Sequence, residues 1–245
     1  MNSELLSLRE KERLVDLQRS GFRIIQRHGA YHFGLDAVLL AHFAAPYAGK
    51  NVCDLACGDG ILSLLIKARI PDASLTGMDA DPSAIDRALR SAALNGVAET
   101  VRFMQADLNG APAGVHANTF DLAVCNPPYY PADAGTLRHR EARTEQRISA
   151  DQLVLRARAL LKNRGSLCMV YPAGRLDHLF ALLTAAGLPV KNLRLVHPQA
   201  GRPATLCLVR AQKGVRPGGL RVSPPLLLAE ADGQPTAEIH QIYNT

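Results

Sequence analysis

The chain has 245 residues, enough to bury a sizeable core as one domain with extensions, and its 28 Lys+Arg against 22 Asp+Glu give a formal charge of +6. No apolar run approaches the roughly 20 residues of a membrane-spanning helix, residues 1–19 are too charged for a secretory leader, and the five cysteines (Cys53, Cys57, Cys125, Cys168, Cys207) lack zinc-site spacing. Membrane, disulfide-scaffold and metal-site readings are thereby set aside, and a cytoplasmic protein with buried free thiols is expected.

In chain order, residues 1–19 mix charges with Leu5, Leu6, Leu8, Leu14, Val15 and Leu17, which reads as an amphipathic helix or partly ordered arm. Residues 22–33 hold two short apolar runs around Arg27-His28-Gly29-Ala30, a hairpin pattern. Asp36 is placed to cap a helix running to about Pro46. From Asn51 the pattern becomes alternating strand and helix: strands at 52–55, 74–78, 101–104, 120–125 and 166–170, and helices at 61–69, from Asp81-Pro82 to about 95, from Ser149 to about 162, and at 174–186. Pro82 suits a first helical turn, and Ser149 with Gln152 forms a capping-box pair. Strands near 193–196 and 206–209 follow, and the Gly- and Pro-rich stretch 214–225 reads as a loop into a short tail. Repeated strand–helix units predict an α/β fold with a doubly wound, mainly parallel seven-stranded sheet. The expected organisation is an N-terminal hairpin and helix extension (1–50), a core domain (51–213) and a C-terminal tail on or near the core (214–245).

Charge is unevenly spread. Between His178 and Ala229 there is no Asp or Glu, while Lys191, Arg194, Arg202, Arg210, Lys213, Arg216 and Arg221 fall there. A second cluster is Arg138, His139, Arg140, Arg143 and Arg147. Such clusters suit a polyanion or a solvated face.

Four successive strand ends carry small or polar groups. The first ends Asp54-Leu55-Ala56-Cys57-Gly58-Asp59-Gly60, where two glycines allow close approach to the backbone. The second ends in Asp79, nineteen residues after Gly60, placed to accept two ribose hydroxyls. The third ends Gln105-Ala106-Asp107, and the fourth Asn126-Pro127-Pro128-Tyr129. Two prolines stop the strand and stiffen the backbone. The Asn126 side-chain carbonyl and the Pro127 backbone carbonyl then face one point as acceptors beside the flat face of Tyr129, a combination suited to a planar group bearing an NH2.

These residues resemble the class I S-adenosylmethionine-dependent methyltransferases, whose sheet is Rossmann-like, over roughly 51–210. Asp54 to Gly60 is similar to the family's D-x-G-x-G-x-G cofactor loop, with Ala56 in place of its first glycine. The resemblance implies S-adenosylmethionine as cofactor, held by Asp54, Ala56, Gly58, Gly60, Asp79, Ala80, Asp107, Leu108 and Asn126. Asn126 to Tyr129 resembles the N-P-P-Y motif of enzymes that methylate adenine N6, guanine N2 of ribosomal RNA, or a glutamine amide. It implies Asn126, Pro127, Pro128 and Tyr129 as the catalytic set. An exocyclic amine shares its lone pair with the ring, and acceptors fixed on its N–H groups stabilise the charge that grows as methyl transfers. Tyr129 stacks on the base, a contact worth about 1–3 kcal/mol, and the base enters from a loop or single strand.

Segments outside the shared core, residues 32–41, Ala142-Arg143-Thr144-Glu145, His197-Pro198-Gln199-Ala200-Gly201-Arg202-Pro203-Ala204 and the tail, are similar to bacterial tRNA (adenine-N6) methyltransferases that act beside the anticodon of a valine tRNA. That similarity implies tRNA as partner, with Arg138, Arg140, Arg143, Arg147 and Arg202 on its backbone. Glutamine methylation of a release factor, guanine-N2 methylation and a non-catalytic RNA-binding module are the alternatives.

Overall fold

The structure, a computed structural model, describes residues 8–28, 34–110, 112–127 and 148–244. Its strands are β1 (Glu12–Asp16), β2 (Arg23–Arg27), β3 (Asn51–Leu55), β4 (Ser74–Asp79), β5 (Val101–Gln105), β6 (Phe120–Cys125), β7 (Leu161–Pro172), β8 (Val190–Gln199), β9 (Leu206–Gln212), β10 (Arg221–Val222) and β11 (Leu226–Ala229). Its α-helices are α1 (Leu35–Ala44), α2 (Ile61–Arg69), α3 (Pro82–Leu94), α4 (Ala150–Leu160), α5 (Leu176–Ala185) and α6 (Ala237–Asn244).

Two apolar faces built into β3 and β6 dictate three layers. Val52, Leu122 and Val124 point into one core with α1, α2, α3 and α6; Cys53, Leu55, Ala123 and Cys125 point into a second with α4 and α5. Strands buried on both faces belong in the middle of a parallel sheet, and β3 pairs parallel with β4 on one side and β6 on the other. The order is β10-β8-β9-β7-β6-β3-β4-β5, with β11 also on β8. The seven strands β3 to β9 form the doubly wound sheet, β9 being antiparallel to both β7 and β8. Strand order reverses between β3 and β6, where open α/β sheets hold their ligands. All five cysteines are buried and free.

Local caps set the helix starts. Asp81 accepts from Ser83 N at 2.8 Å, with Pro82 following, and Ser149 and Gln152 close a capping box. At α1 the expectation is corrected: Gly34 is the cap residue, without a side-chain bond, and Asp36 lies in the first turn, where a carboxylate still faces the positive helix end.

The second arm of the expected hairpin, residues 29–33, lies outside the described residues, and a hairpin forms one strand earlier. It pairs β1 with β2, Val15 opposite Ile24, so residues 12–16 are strand and the turn falls at 17–22, where Gln18, Ser20 and Gly21 take positive φ. The deciding contacts are tertiary. Glu12 bonds Arg90 of α3 at 2.9 Å, and Ile25 N bonds Ser91 Oγ at 3.0 Å. The tail likewise departs from a plain loop, adding β10 and β11 parallel to β8, so the sheet counts nine strands. Pro224 and Pro225, lacking N–H groups, separate the two, and Glu238 of α6 pairs with Arg194 of β8 at 2.7 Å.

Candidate active site

The register of the central strands aligns their carboxyl ends. Leu55 lies opposite both Met78 and Cys125, and Asp79 lies opposite Gln105. Asn126, Ala56, Asp79 and Gln105 therefore leave the sheet side by side, a row about 14 Å wide at about 4.8 Å per strand. This is the row of polar strand ends that the sequence predicts.

The loop from Ala56 to Gly60 turns sharply because three of its residues are left-handed: Ala56 (φ 57°), Gly58 (φ 52°) and Gly60 (φ 85°). An alanine there stores about 1–2 kcal/mol of strain, which surrounding bonds hold. Cys57 N donates to Met78 O at 3.0 Å. Gly58 N donates to Asp79 Oδ2 at 2.8 Å, while Asp79 Oδ1 takes Asp81 N at 2.9 Å. Each oxygen of Asp79 thus has one backbone donor and keeps lone-pair capacity for another. Gly58 faces open space, since a Cβ there meets no atom within 4 Å.

Gly60 is different. A Cβ there falls 2.5 Å from Phe103 Cζ and 3.1 Å from Ala88. A Cβ on Gly77 likewise falls 2.4 Å from Phe103 Cδ1. The missing side chain of Gly60 makes room for the Phe103 ring of β5. Asp54 lies deeper. It is 1% exposed, beneath the loop, with Oδ2 accepting from Ser63 N at 3.0 Å and Ser63 Oγ at 2.8 Å. Burial, aided by the Asp79 charge and opposed by the Ser63 bonds, raises its carboxyl to about 7. Its side chain ties the loop to the first turn of α2.

Asp59 carries a further tether that the sequence alone does not reveal. Its Oδ1 accepts from Arg87 Nε of α3 at 2.8 Å, both side chains being nearly buried. Burial pushes the Asp59 carboxyl up, and the Arg87 charge opposes that shift. The partners are 28 residues apart, so no local pattern signals them. Burial likewise pushes the Cys57 thiol well up, which keeps it protonated and unreactive.

Beyond Asp79, Ala80 is partly buried and its carbonyl accepts from Gln105 Nε2 at 3.3 Å. Asp107 is exposed, its Oδ1 taking Asn109 N and Nδ2, both at 2.9 Å. Leu108 is buried in the second core. On the other flank Asn126 is partly buried and Pro127 buried. Pro128, Tyr129, Arg138, Arg140, Arg143 and Arg147 lie outside the described residues. Arg202 is exposed in the β8–β9 turn, its carbonyl 2.7 Å from His197 Nδ1. Since β8 is antiparallel to β9 and β9 to β7, this turn lies at the same sheet edge as Asn126. Among the described residues no cluster of three His, Cys, Asp or Glu side chains is arranged for a metal, and no helix is long and apolar enough to cross a membrane.

The row sets side by side a carboxylate with one backbone donor on each oxygen, a turn whose Gly58 faces open space, and Asn126-Pro127 one strand further. The sequence matches the family model described as Methyltransferase small domain over residues 33–178. Relatives named tRNA1(Val) (adenine(37)-N6)-methyltransferase, from Yersinia pestis (strain Pestoides F) and Yersinia pseudotuberculosis serotype O:1b (strain IP 31758), are 28% identical over 218 residues, covering 88% of this chain and 86% of theirs. Among solved structures, a predicted O-methyltransferase, Atu636 from Agrobacterium tumefaciens, superposes with TM-score 0.70 at 23% identity, covering 86% of this chain and 96% of that one. The [4+2]-cyclase SpnF superposes with TM-score 0.58 at 17% identity. The fold therefore does not by itself name the reaction.

Proposed function

The chain belongs to the methyltransferase small-domain family, and from that premise we propose that it transfers a methyl group from S-adenosylmethionine to the exocyclic N6 of an adenosine in tRNA. The observation that carries the reading is Asn126-Pro127 emerging beside Ala56 and two strands from Asp79. The acceptor pair thus adjoins the cofactor loop at the topological switch point. The relatives' name supports adenine 37 of a valine tRNA as the target.

The residues present fit S-adenosylmethionine. Gly58 leaves its backbone open, and Asp79 retains capacity on both oxygens beside it for two ribose hydroxyls. Asp107 stands exposed one strand on, for an adenine amine. When bound, the cofactor supplies an electrophilic methyl on a sulfonium. The protein's part is to hold the acceptor nitrogen. Asn126 Oδ1 and the Pro127 carbonyl accept from the amine's two N–H groups, aiming its lone pair and stabilising the developing positive charge. Asn126 is partly buried and Pro127 buried, and such bonds are stronger there than in bulk water. No perturbed general base is required, because a methylated ammonium is acidic and releases its proton to solvent.

Incubating the protein with methyl-labelled S-adenosylmethionine and, separately, bulk tRNA, ribosomal RNA or a release factor tests the reading. Label confined to tRNA is expected; label confined to the release factor or to ribosomal RNA refutes it.

A further inference from the structure

The sequence reading gives the N-terminal hairpin no role, yet the structure anchors it firmly and aims one end at the reaction edge. Arg90 of α3, 3% exposed, bonds both carboxylate oxygens of Glu12 and pairs with Asp86 at 3.0 Å. Arg9 pairs with Asp86 at 2.9 Å. Along the free edge of β2, Arg23 N bonds Asn95 Oδ1 at 2.8 Å and Ile25 N bonds Ser91 Oγ at 3.0 Å. Two residues of strand thus match one turn of helix, so Arg27 comes level with Arg87. Since α3 begins just after Asp79, the hairpin turn lies toward the far edge of the sheet. Its open end, Lys11 with Arg27 and His28, lies beside the cofactor loop that Arg87 holds.

That open end and the first turns of α3 enclose a cleft of about 270 Å³ lined by Lys11, Arg27, Ser83 and Arg87 together with the paired Arg9, Glu12 and Asp86 and the exposed Glu10. The charge accounting is uneven. Glu12 and Asp86 are spent on Arg90 and Arg9, leaving the exposed cations Lys11 and Arg27 against Glu10 alone. Lys11 also sits in the left-handed region at φ 65°, its carbonyl taking His28 N at 2.6 Å. Glycine or asparagine fits that conformation at less cost. A strained lysine at the mouth of a cleft, on an element locked by a buried ion pair, points to a role beyond solubility.

We propose that this cleft is a docking surface for the phosphate backbone of RNA. It stands opposite Arg202: five strand steps separate β8 from β4, about 24 Å, with Asn126 between them. A folded RNA whose target loop enters at Asn126 is then held on both sides. Phosphate contacts of this kind position the substrate without reading its sequence. This rests on the tRNA reading above.

The test compares Lys11→Gln/Arg27→Gln with Lys50→Gln, an exposed cation preceding β3 at the opposite sheet edge, by measuring tRNA affinity across a salt series and S-adenosylmethionine affinity by calorimetry. The double variant is expected to weaken tRNA binding about tenfold and to flatten the log–log salt slope by roughly 1.4–1.8, two phosphate contacts at about 0.7–0.9 each. Cofactor affinity and the Lys50→Gln variant should match wild type. A double variant within twofold of Lys50→Gln, with the same slope, overturns the proposal while leaving tRNA methylation intact. A wild-type protein that binds no tRNA overturns the tRNA reading itself.

Discussion

Replacing Arg87 with glutamine isolates the tether that holds the cofactor loop. The Arg87 Nε–Asp59 Oδ1 bond is 2.8 Å long, with side chains 13% and 12% exposed. A hydrogen bond to a charged group contributes about 1.5–3 kcal/mol, and an orphaned buried charge costs about 3–5 kcal/mol. With both side chains retaining some solvent contact, about 2 kcal/mol is reasonable. Asp59 lies between two left-handed glycines, so that loss falls on loop order rather than on the sheet. At 1.4 kcal/mol per tenfold change, Arg87→Gln should weaken S-adenosylmethionine binding about 10- to 30-fold. Turnover at saturating cofactor should stay within about threefold, because Asn126 is untouched. Arg87→Lys keeps the charge without the fork and should recover part of the affinity. The pH response has a sign. Burial already pushes the Asp59 carboxyl up while Arg87 opposes it, so without Arg87 it rises further. Protonation then relieves the orphaned charge, and the defect should shrink toward pH 5. Calorimetric titrations at pH 5 and pH 8 measure this. Lost thermal stability with cofactor affinity within twofold of wild type refutes the tether.

Four further substitutions probe the same loop. Asp54 titrates near about 7 because it is buried, above the usual carboxylate value, so the fold loses stability as pH rises from about 4 to 7, by up to about 4 kcal/mol. Asp54→Asn removes that loss and should gain on wild type in urea melts at pH 8 relative to pH 5; an equal difference at both pH values contradicts it. Ala56→Gly relieves about 1–2 kcal/mol of left-handed strain against about 0.4–1 kcal/mol of added unfolded-state entropy. A Tm rise of roughly 1–4 °C without loss of cofactor affinity is expected, and a fall in Tm contradicts it. Gly60→Ala forces a methyl onto Phe103 at φ 85° and should cost about 2–5 kcal/mol from overpacking and strain together. Gly58→Ala, with open space, should cost only about 1–2 kcal/mol; equal losses by denaturant titration refute the assignment of Gly60 to packing.

Much of this architecture is written locally. Asp81 with Pro82 and Ser149 with Gln152 place two helix starts correctly because a cap is a contact between near neighbours. The row of strand ends is legible for a related reason: each polar end follows its own buried strand, and alternation sets them in parallel. What escapes depends on distant partners. Residues 12–16 become strand through Arg90, 78 positions away, and residues 221–222 and 226–229 become strand through β8. At the site, Gly58 and Gly60 look alike in sequence, and only the Phe103 ring separates an open glycine from a packing one. The Asp54–Ser63 bond beneath the loop spans nine positions, and the Asp59–Arg87 pair has no local signature.

The central claim is that Asn126 presents an adenine amine to the methyl donor. Single-turnover methylation of tRNA from cells lacking this enzyme, with digestion to nucleosides and mass spectrometry, tests it most directly. Wild-type protein should yield N6-methyladenosine, mapped beside the anticodon, and Asn126→Ala should yield essentially none while binding S-adenosylmethionine with near-normal affinity. A methylated guanosine in place of adenosine, or near-normal product from Asn126→Ala, contradicts the account.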